Sequence, residues 1–144
     1  MARVVARASA ELSAAPDTVV TFLSDYREAR ERILTGNYSA YRVEQGGTGG
    51  GTVYAYHFAA GGRERDYRLH VHEKAGGLEE VDQLSSFVST WTVAAGPGGS
   101  TVTIESSWEG AGGIGGFFEA RFAPMGLRRI YARMLESLRA ALSA

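Results

Sequence analysis

The chain has 144 residues and a formal net charge of -1, with 44% hydrophobic and 22% charged residues. That length suits one domain, 1–144, with a substantial core, and the charge balance offers no global field to draw nucleic acid or an anionic membrane. The absence of cysteine excludes disulfides, thiol nucleophiles, iron–sulfur clusters and zinc ribbons.

At the N-terminus, Arg3 and Arg7 interrupt Met1-Ala2-Arg3-Val4-Val5-Ala6-Arg7 before an apolar run develops. A secretory signal needs roughly 7–15 apolar residues in succession and a membrane span about 20. No stretch of the chain supplies either, so a cytoplasmic protein with no stable membrane insertion is expected. From Ala2 to Leu12 the residues alternate, with Val4, Ala6, Ala8, Ala10 and Leu12 on one face, which predicts a half-buried strand. Pro16 and Asp17 then suit the start of a helix, and Val19, Phe22, Leu23 and Tyr26 follow at helical spacing. A second short helical stretch, Arg27 to Leu34, ends before Gly36.

The middle of the chain reads as a meander of strands over Tyr38–Gln45, Thr52–Phe58, Arg65–Lys74, Leu78–Gln83, Phe87–Ala95 and Thr101–Glu109. Glycine-rich turns separate them: Gly46 to Gly51, Gly61-Gly62, Gly76-Gly77 and Gly96-Pro97-Gly98-Gly99. Connections this short imply antiparallel pairing. After Gly116 the helical period returns. Phe118, Phe122 and Met125 form one stripe and Leu127, Ile130, Met134, Leu138 and Leu142 another, with Pro124 and Gly126 expected to kink or break the helix between them. The whole predicts an α+β protein: one strand, two short helices, six strands and a long C-terminal helix.

This order resembles the START-related superfamily, which includes polyketide cyclases and dehydrases, steroid-transfer domains and plant pollen-allergen proteins. The residues that carry the likeness are Ala14-Ala15-Pro16-Asp17-Thr18-Val19, Gly49-Gly50-Gly51-Thr52-Val53-Tyr54, Gly96-Pro97-Gly98-Gly99-Ser100-Thr101-Val102 and the long final helix. The resemblance implies a START-like helix-grip fold, in which a curved seven-stranded antiparallel sheet wraps the C-terminal helix around a cavity. It implies no shared catalytic residues, because fold alone does not give function.

In such an architecture one face of each strand points at the helix. The more apolar faces are Tyr54, Tyr56 and Phe58; Tyr67, Leu69 and Val71; Phe87, Ser89, Trp91 and Val93; and Val102, Ile104, Ser106 and Trp108. The expected ligand-binding residues are accordingly Phe22, Tyr54, Tyr56, Phe58, Tyr67, Leu69, Trp91, Ile104, Trp108, Phe118, Phe122 and Met125. Aromatics and methionine with a few hydroxyls are what an apolar-ligand site uses. The same set, without a cavity, is ordinary core packing.

Other constellations read as structural. His70 and His72 share a strand face that points away from Tyr67, Leu69 and Val71, and with His57 they make an incomplete metal set, so neither a metal nor a cofactor is expected. Gly110-Ala111-Gly112-Gly113-Ile114-Gly115 matches a dinucleotide fingerprint, but no second parallel strand follows the helix it opens. Alternation puts Glu80 and Asp82 on the face of Leu78, which leaves one polar group able to face the pocket, with surface exposure the favoured outcome. No nucleophile–base pair is legible.

The expected function is binding of an apolar small molecule, a lipid, polyketide or related metabolite, by a monomer or homodimer. The alternative is a polyketide cyclase or aromatase that folds a bound chain, and the third reading is a partner-interaction module. An inward-facing acid, base or arginine would favour the enzyme.

Overall fold

A computed structural model describes the backbone of residues 3–110 and 113–143, and the side chains of 3–110 and 124–143. Strand β1 (Arg3–Leu12) leads into helix α1 (Pro16–Ser24) and a single 3-10 turn (Arg30–Ile33). Six strands follow: β2 (Tyr38–Gln45), β3 (Val53–Ala60), β4 (Arg63–Lys74), β5 (Gly77–Asp82), β6 (Val88–Gly96) and β7 (Gly99–Glu109). Helix α2 (Gly113–Leu142) closes the chain. The strands form one seven-stranded antiparallel sheet in the order β1-β7-β6-β5-β4-β3-β2. No helix among the described residues is long and apolar enough to cross a membrane.

The alternation read from the sequence is the alternation of burial. Val4, Ala6 and Leu12 of β1 are buried, as are Ser89, Trp91 and Val93 of β6 and Val102, Ile104 and Ser106 of β7. These inner faces meet Ile130, Tyr131, Met134, Leu135 and Leu138 of α2 in one core. The buried stripe of α2 is wider than one residue per turn, because a helix packed against a sheet buries neighbouring positions as well as those three or four apart. Each fully buried side chain of leucine size contributes about 1.5–3 kcal/mol relative to exposure.

Two departures from the expected pattern matter for the site. First, α2 runs through Pro124 without a break in helical backbone, so its phase is continuous. Second, strand β2 does not alternate evenly. Ala40 sits at φ 53 and the register against β3 slips between Ser39 and Arg42. One residue is therefore looped out, and Tyr38 and Tyr41, three apart, both turn toward β3. The Tyr38 ring lies edge-on to Tyr56 at 4.9 Å, and Tyr41 lies 5.6 Å from Tyr54.

The loop from Gly46 to Gly51 anchors the segment between α1 and β2. Tyr26 donates its backbone N–H to the Gly47 carbonyl, Gly49 donates to Ser24, and Asp25 bridges to Thr48. Arg27 reaches across to the Gly46 carbonyl and fills the space beside Gly47, where a Cβ would stand 2.3 Å from its Nε. This clamp fixes Tyr26 and, four residues on, Arg30.

Candidate functional site

A cavity of about 620 Å³ lies between the sheet and α2. Its walls include Tyr56 and Phe58 of β3, Tyr67 of β4, Phe87, Trp108 of β7, and Leu127, Ile130 and Tyr131 of α2, with Tyr38 at the start of β2. Arg63, Glu64 and Arg65, beside the β3–β4 turn, lie along its edge. The volume falls within the range of roughly 300–1,000 Å³ typical of small-molecule sites. The aromatic walls hold one another through a chain of ring contacts from Tyr38 to Phe58 (4.9 Å), Tyr56 to Tyr67 (5.3 Å), Tyr67 to Phe87 (5.0 Å) and Phe87 to Trp108 (6.0 Å).

A second, smaller cavity of about 20 Å³, room for about one water-sized group, shares Tyr38, Tyr56 and Tyr131 with the large one. Those three tyrosines are therefore the partition between the two spaces. Tyr54, Trp91, Ile104, Arg30 and Glu80 line the inner space.

Behind the partition lies a buried charge cluster that alternation alone did not reveal. Arg30 is 3% exposed and Glu80 1%. Arg30 donates from Nη1 to Glu80 Oε2 at 2.8 Å and from Nη2 to Oε1 at 3.2 Å, a forked pairing that suits the planar guanidinium. The Tyr26 hydroxyl donates to Glu80 Oε2 at 2.5 Å and the Tyr54 hydroxyl to Oε1 at 2.6 Å. Arg30 also donates to the Leu23 carbonyl at 3.0 Å and stacks over the Trp91 ring at 5.0 Å and the Tyr26 ring at 4.7 Å. Burial works against the Arg30 charge, but Glu80 more than offsets it, and the guanidinium stays protonated. Burial, reinforced by the Glu80 charge, holds the Tyr26 and Tyr54 phenols well above their ordinary pKa, so both remain neutral donors.

Glu80 and Asp82 were expected at the surface and both are buried. The short strand β5 lies in mid-sheet between β4 and β6, where the face shared with Leu78 is covered by the core. Burial of an ion is tolerable only with full pairing, and each carboxylate has it. Asp82 accepts from the backbone N–H of Arg68 (3.0 Å) and Leu84 (3.3 Å) and from the Ser85 hydroxyl (2.5 Å), so it ties the turn after β5 and presents nothing to the cavity.

Of the expected ligand-binding residues, Tyr56, Phe58, Tyr67 and Trp108 line the large cavity, and Tyr54, Tyr56, Trp91 and Ile104 line the inner one. Leu69 is 1% exposed and belongs to the closed core instead. Phe22 is half-buried beneath the Arg32 guanidinium, 5.5 Å from its ring, away from both spaces. Met125 is 43% exposed and turned outward. Because α2 is unbroken, Met125 sits roughly 200° around the helix from Leu127, which faces in. Phe118 and Phe122 lie outside the residues whose side chains are described, as does most of the Gly110–Gly115 run.

Sequence reasoning missed Arg30, Tyr38 and Tyr131 at the site. Tyr38 was hidden by the bulge at Ala40, and Tyr131 by drawing the α2 stripe one residue too narrow. Nothing local marks Arg30, which lies among four exposed or half-exposed charged neighbours of ordinary helical composition. On the outer face, His57 pairs with Asp66 at 2.8 Å and Glu64 at 3.6 Å, four register positions from His70, while His70 and His72 neighbour each other at 4.5 Å.

A seven-stranded antiparallel sheet gripping a long C-terminal helix, with an aromatic cavity between them, defines a helix-grip protein. The chain belongs to the family described as polyketide cyclase / dehydrase and lipid transport, whose model matches residues 3–143. It is similar over the full length of both chains to the KanY protein, at 41% identity and a TM-score of 0.90. The fold is also that of a Thermus thermophilus protein (16% identity, TM-score 0.77, covering 99% of this chain and 100% of that one). Major latex-like protein 151 of Panax ginseng shares it too (10% identity, TM-score 0.72, 99% of each chain). No curated protein matches the chain.

Proposed function

We propose that this protein binds an apolar small molecule, a lipid, polyketide or related metabolite, in the cavity between the sheet and α2. The observation that carries the reading is the cavity of about 620 Å³ walled by Tyr38, Tyr56, Phe58, Tyr67, Phe87 and Trp108. An aromatic wall of this kind offers large dispersion contact to any flat or chain-like apolar ligand and little that is specific to one. The family's scope, polyketide cyclases and dehydrases on one side and lipid transport on the other, spans both a reacting and a merely bound ligand.

The inward-facing ions support binding over cyclase chemistry. Glu80 accepts four hydrogen bonds, and both Nη atoms of Arg30 are engaged by Glu80, Nη1 also by the Leu23 carbonyl. A general base needs an accessible lone pair and an electrophilic arginine needs free N–H groups aimed at substrate. This pair commits the Glu80 oxygens and both Arg30 Nη atoms to each other, and only the Arg30 Nε–H is left without a partner among the described residues.

Native mass spectrometry of the purified protein, with denaturing extraction of anything bound, tests the reading. A co-purifying apolar compound, or saturable binding of one from a panel of lipids and polyketide mimics, is expected. A protein that purifies empty and binds none of the panel would overturn it.

A further inference from the structure

The partition between the two cavities is polar in a way the rest of the wall is not. Tyr56 is 7% exposed and lines both spaces, and its hydroxyl, which opens into them, makes no hydrogen bond to a described residue. Beside it, the Tyr38 hydroxyl reaches only the Met134 thioether at 3.6 Å, a weak acceptor. The third member, Tyr131, is braced differently. Its hydroxyl shares a hydrogen bond with Ser106 Oγ at 2.5 Å, and Ser106 shares another with Ser89 Oγ at 2.5 Å. Toward the edge of the large cavity the lining becomes Phe58, Phe87 and Leu127, and then the charged Arg63, Glu64 and Arg65.

A phenol that opens into a cavity with no protein acceptor finds one only in what fills the space, and a filling that offers none desolvates it at a cost. Burial first of all keeps the three phenols protonated, and Tyr131 further opposes the ionisation of both Tyr38 and Tyr56. The partition thus holds O–H donors side by side at the inner wall of an otherwise apolar space. A carbonyl oxygen, with two lone pairs and no proton, is the complementary group. A hydrocarbon placed there would leave the donors unpaired, and a charged carboxylate would face desolvation with no free cation among the described residues of that wall.

We infer that the partition is a carbonyl-reading subsite, in which Tyr56 and Tyr131 donate hydrogen bonds to a ketone-type oxygen at the buried end of the ligand while the apolar body fills the space between Phe58, Tyr67, Phe87 and Trp108. The inference rests on the ligand-binding reading and narrows it from apolar molecules in general to those with an oxo group at one end. With Ser89 donating to Ser106 and Ser106 to Tyr131, the Tyr131 hydroxyl keeps its own proton for the ligand, one of the two directions in which this chain of hydroxyls can run.

The test compares 9-fluorenone with fluorene, two flat molecules of nearly the same size of which only the first carries a carbonyl. Affinities are measured by quenching of tryptophan fluorescence, and the carbonyl stretch of bound fluorenone by difference infrared spectroscopy. Fluorenone is expected to bind the intact protein about fivefold to tenfold more tightly than fluorene, as one or two net hydrogen bonds allow. Its carbonyl stretch should move to lower frequency. Tyr56→Phe should reduce the preference to about twofold or less and return part of the infrared shift, with fluorene bound no more weakly than by the parent. Tyr131→Phe should act in the same direction. Equal affinities for the two probes, with an unshifted carbonyl, would overturn the carbonyl subsite and leave the cavity reading standing. Failure of both probes to bind would overturn the two together.

Discussion

Replacement of Glu80 by leucine is the sharpest probe of how this fold is held. Leucine keeps most of the volume but removes the acceptor of four hydrogen bonds, two from Arg30 and one each from Tyr26 and Tyr54. Removing one partner of a buried ion pair costs about 3–5 kcal/mol, chiefly because the other charge stays behind without compensation. Each phenol left without an acceptor adds about 1 kcal/mol. The expected loss is therefore about 5–7 kcal/mol, comparable to the whole stability of about 5–15 kcal/mol usual for a domain. The double variant Arg30→Met/Glu80→Leu removes the orphaned charge and leaves the two phenols and the Leu23 carbonyl without their partners. It should stand within about 3 kcal/mol of the parent. Urea titration followed by tryptophan emission reads both, and Trp91, 5.0 Å beneath the Arg30 guanidinium, reports the site directly. A single variant that loses less than about 1 kcal/mol would refute the reasoning. So would a double variant no more stable than the single.

Three other expectations follow from the same coordinates. Gly77→Ala should destabilise by about 1–3 kcal/mol or more, since a Cβ there would stand 1.8 Å from the Trp91 carbonyl oxygen across the β5–β6 pairing; a urea midpoint unchanged from the parent would contradict the packing. Tyr26, Tyr38, Tyr54, Tyr56 and Tyr131 all have raised pKa values, by burial first. Their contribution is whole below about pH 10 and is lost as pH rises beyond it, because the unfolded phenols release protons that the folded ones keep. Ultraviolet titration should show those tyrosines ionising together with unfolding, whereas stepwise ionisation near pH 10 in an intact fold would count against their burial. Trp108→Ala, at a half-buried position on the cavity wall, should weaken binding of 9-fluorenone about tenfold or more while lowering stability by less than about 2 kcal/mol; the reverse pattern in calorimetry and urea titration would place Trp108 in the core.

Much of the fold was legible because its causes are local. Period-two alternation places Tyr54, Tyr56 and Phe58 on one face, and the Gly61-Gly62 and Gly76-Gly77 turns set antiparallel neighbours. The likeness to START-related proteins then supplied the arrangement of the long helix across the sheet. What the one-dimensional pattern misplaced depended on small backbone events. A single looped-out residue at Ala40 brought Tyr38 inward, and an unbroken helix through Pro124 turned Met125 to solvent.

The rest was decided by tertiary structure alone. Arg30 and Glu80 lie fifty residues apart in the chain and meet only because the Gly46–Gly51 loop clamps the Tyr26 segment against mid-sheet β5. Nothing in the composition around either residue distinguishes a buried ion from a solvated one, since burial is set by what the distant chain lays on top. The volume of the cavity is of the same kind. Aromatic side chains on a strand face specify that something apolar covers them, but the distance at which α2 stands off the sheet arises from the summed packing of both. That distance separates a filled core from a binding site.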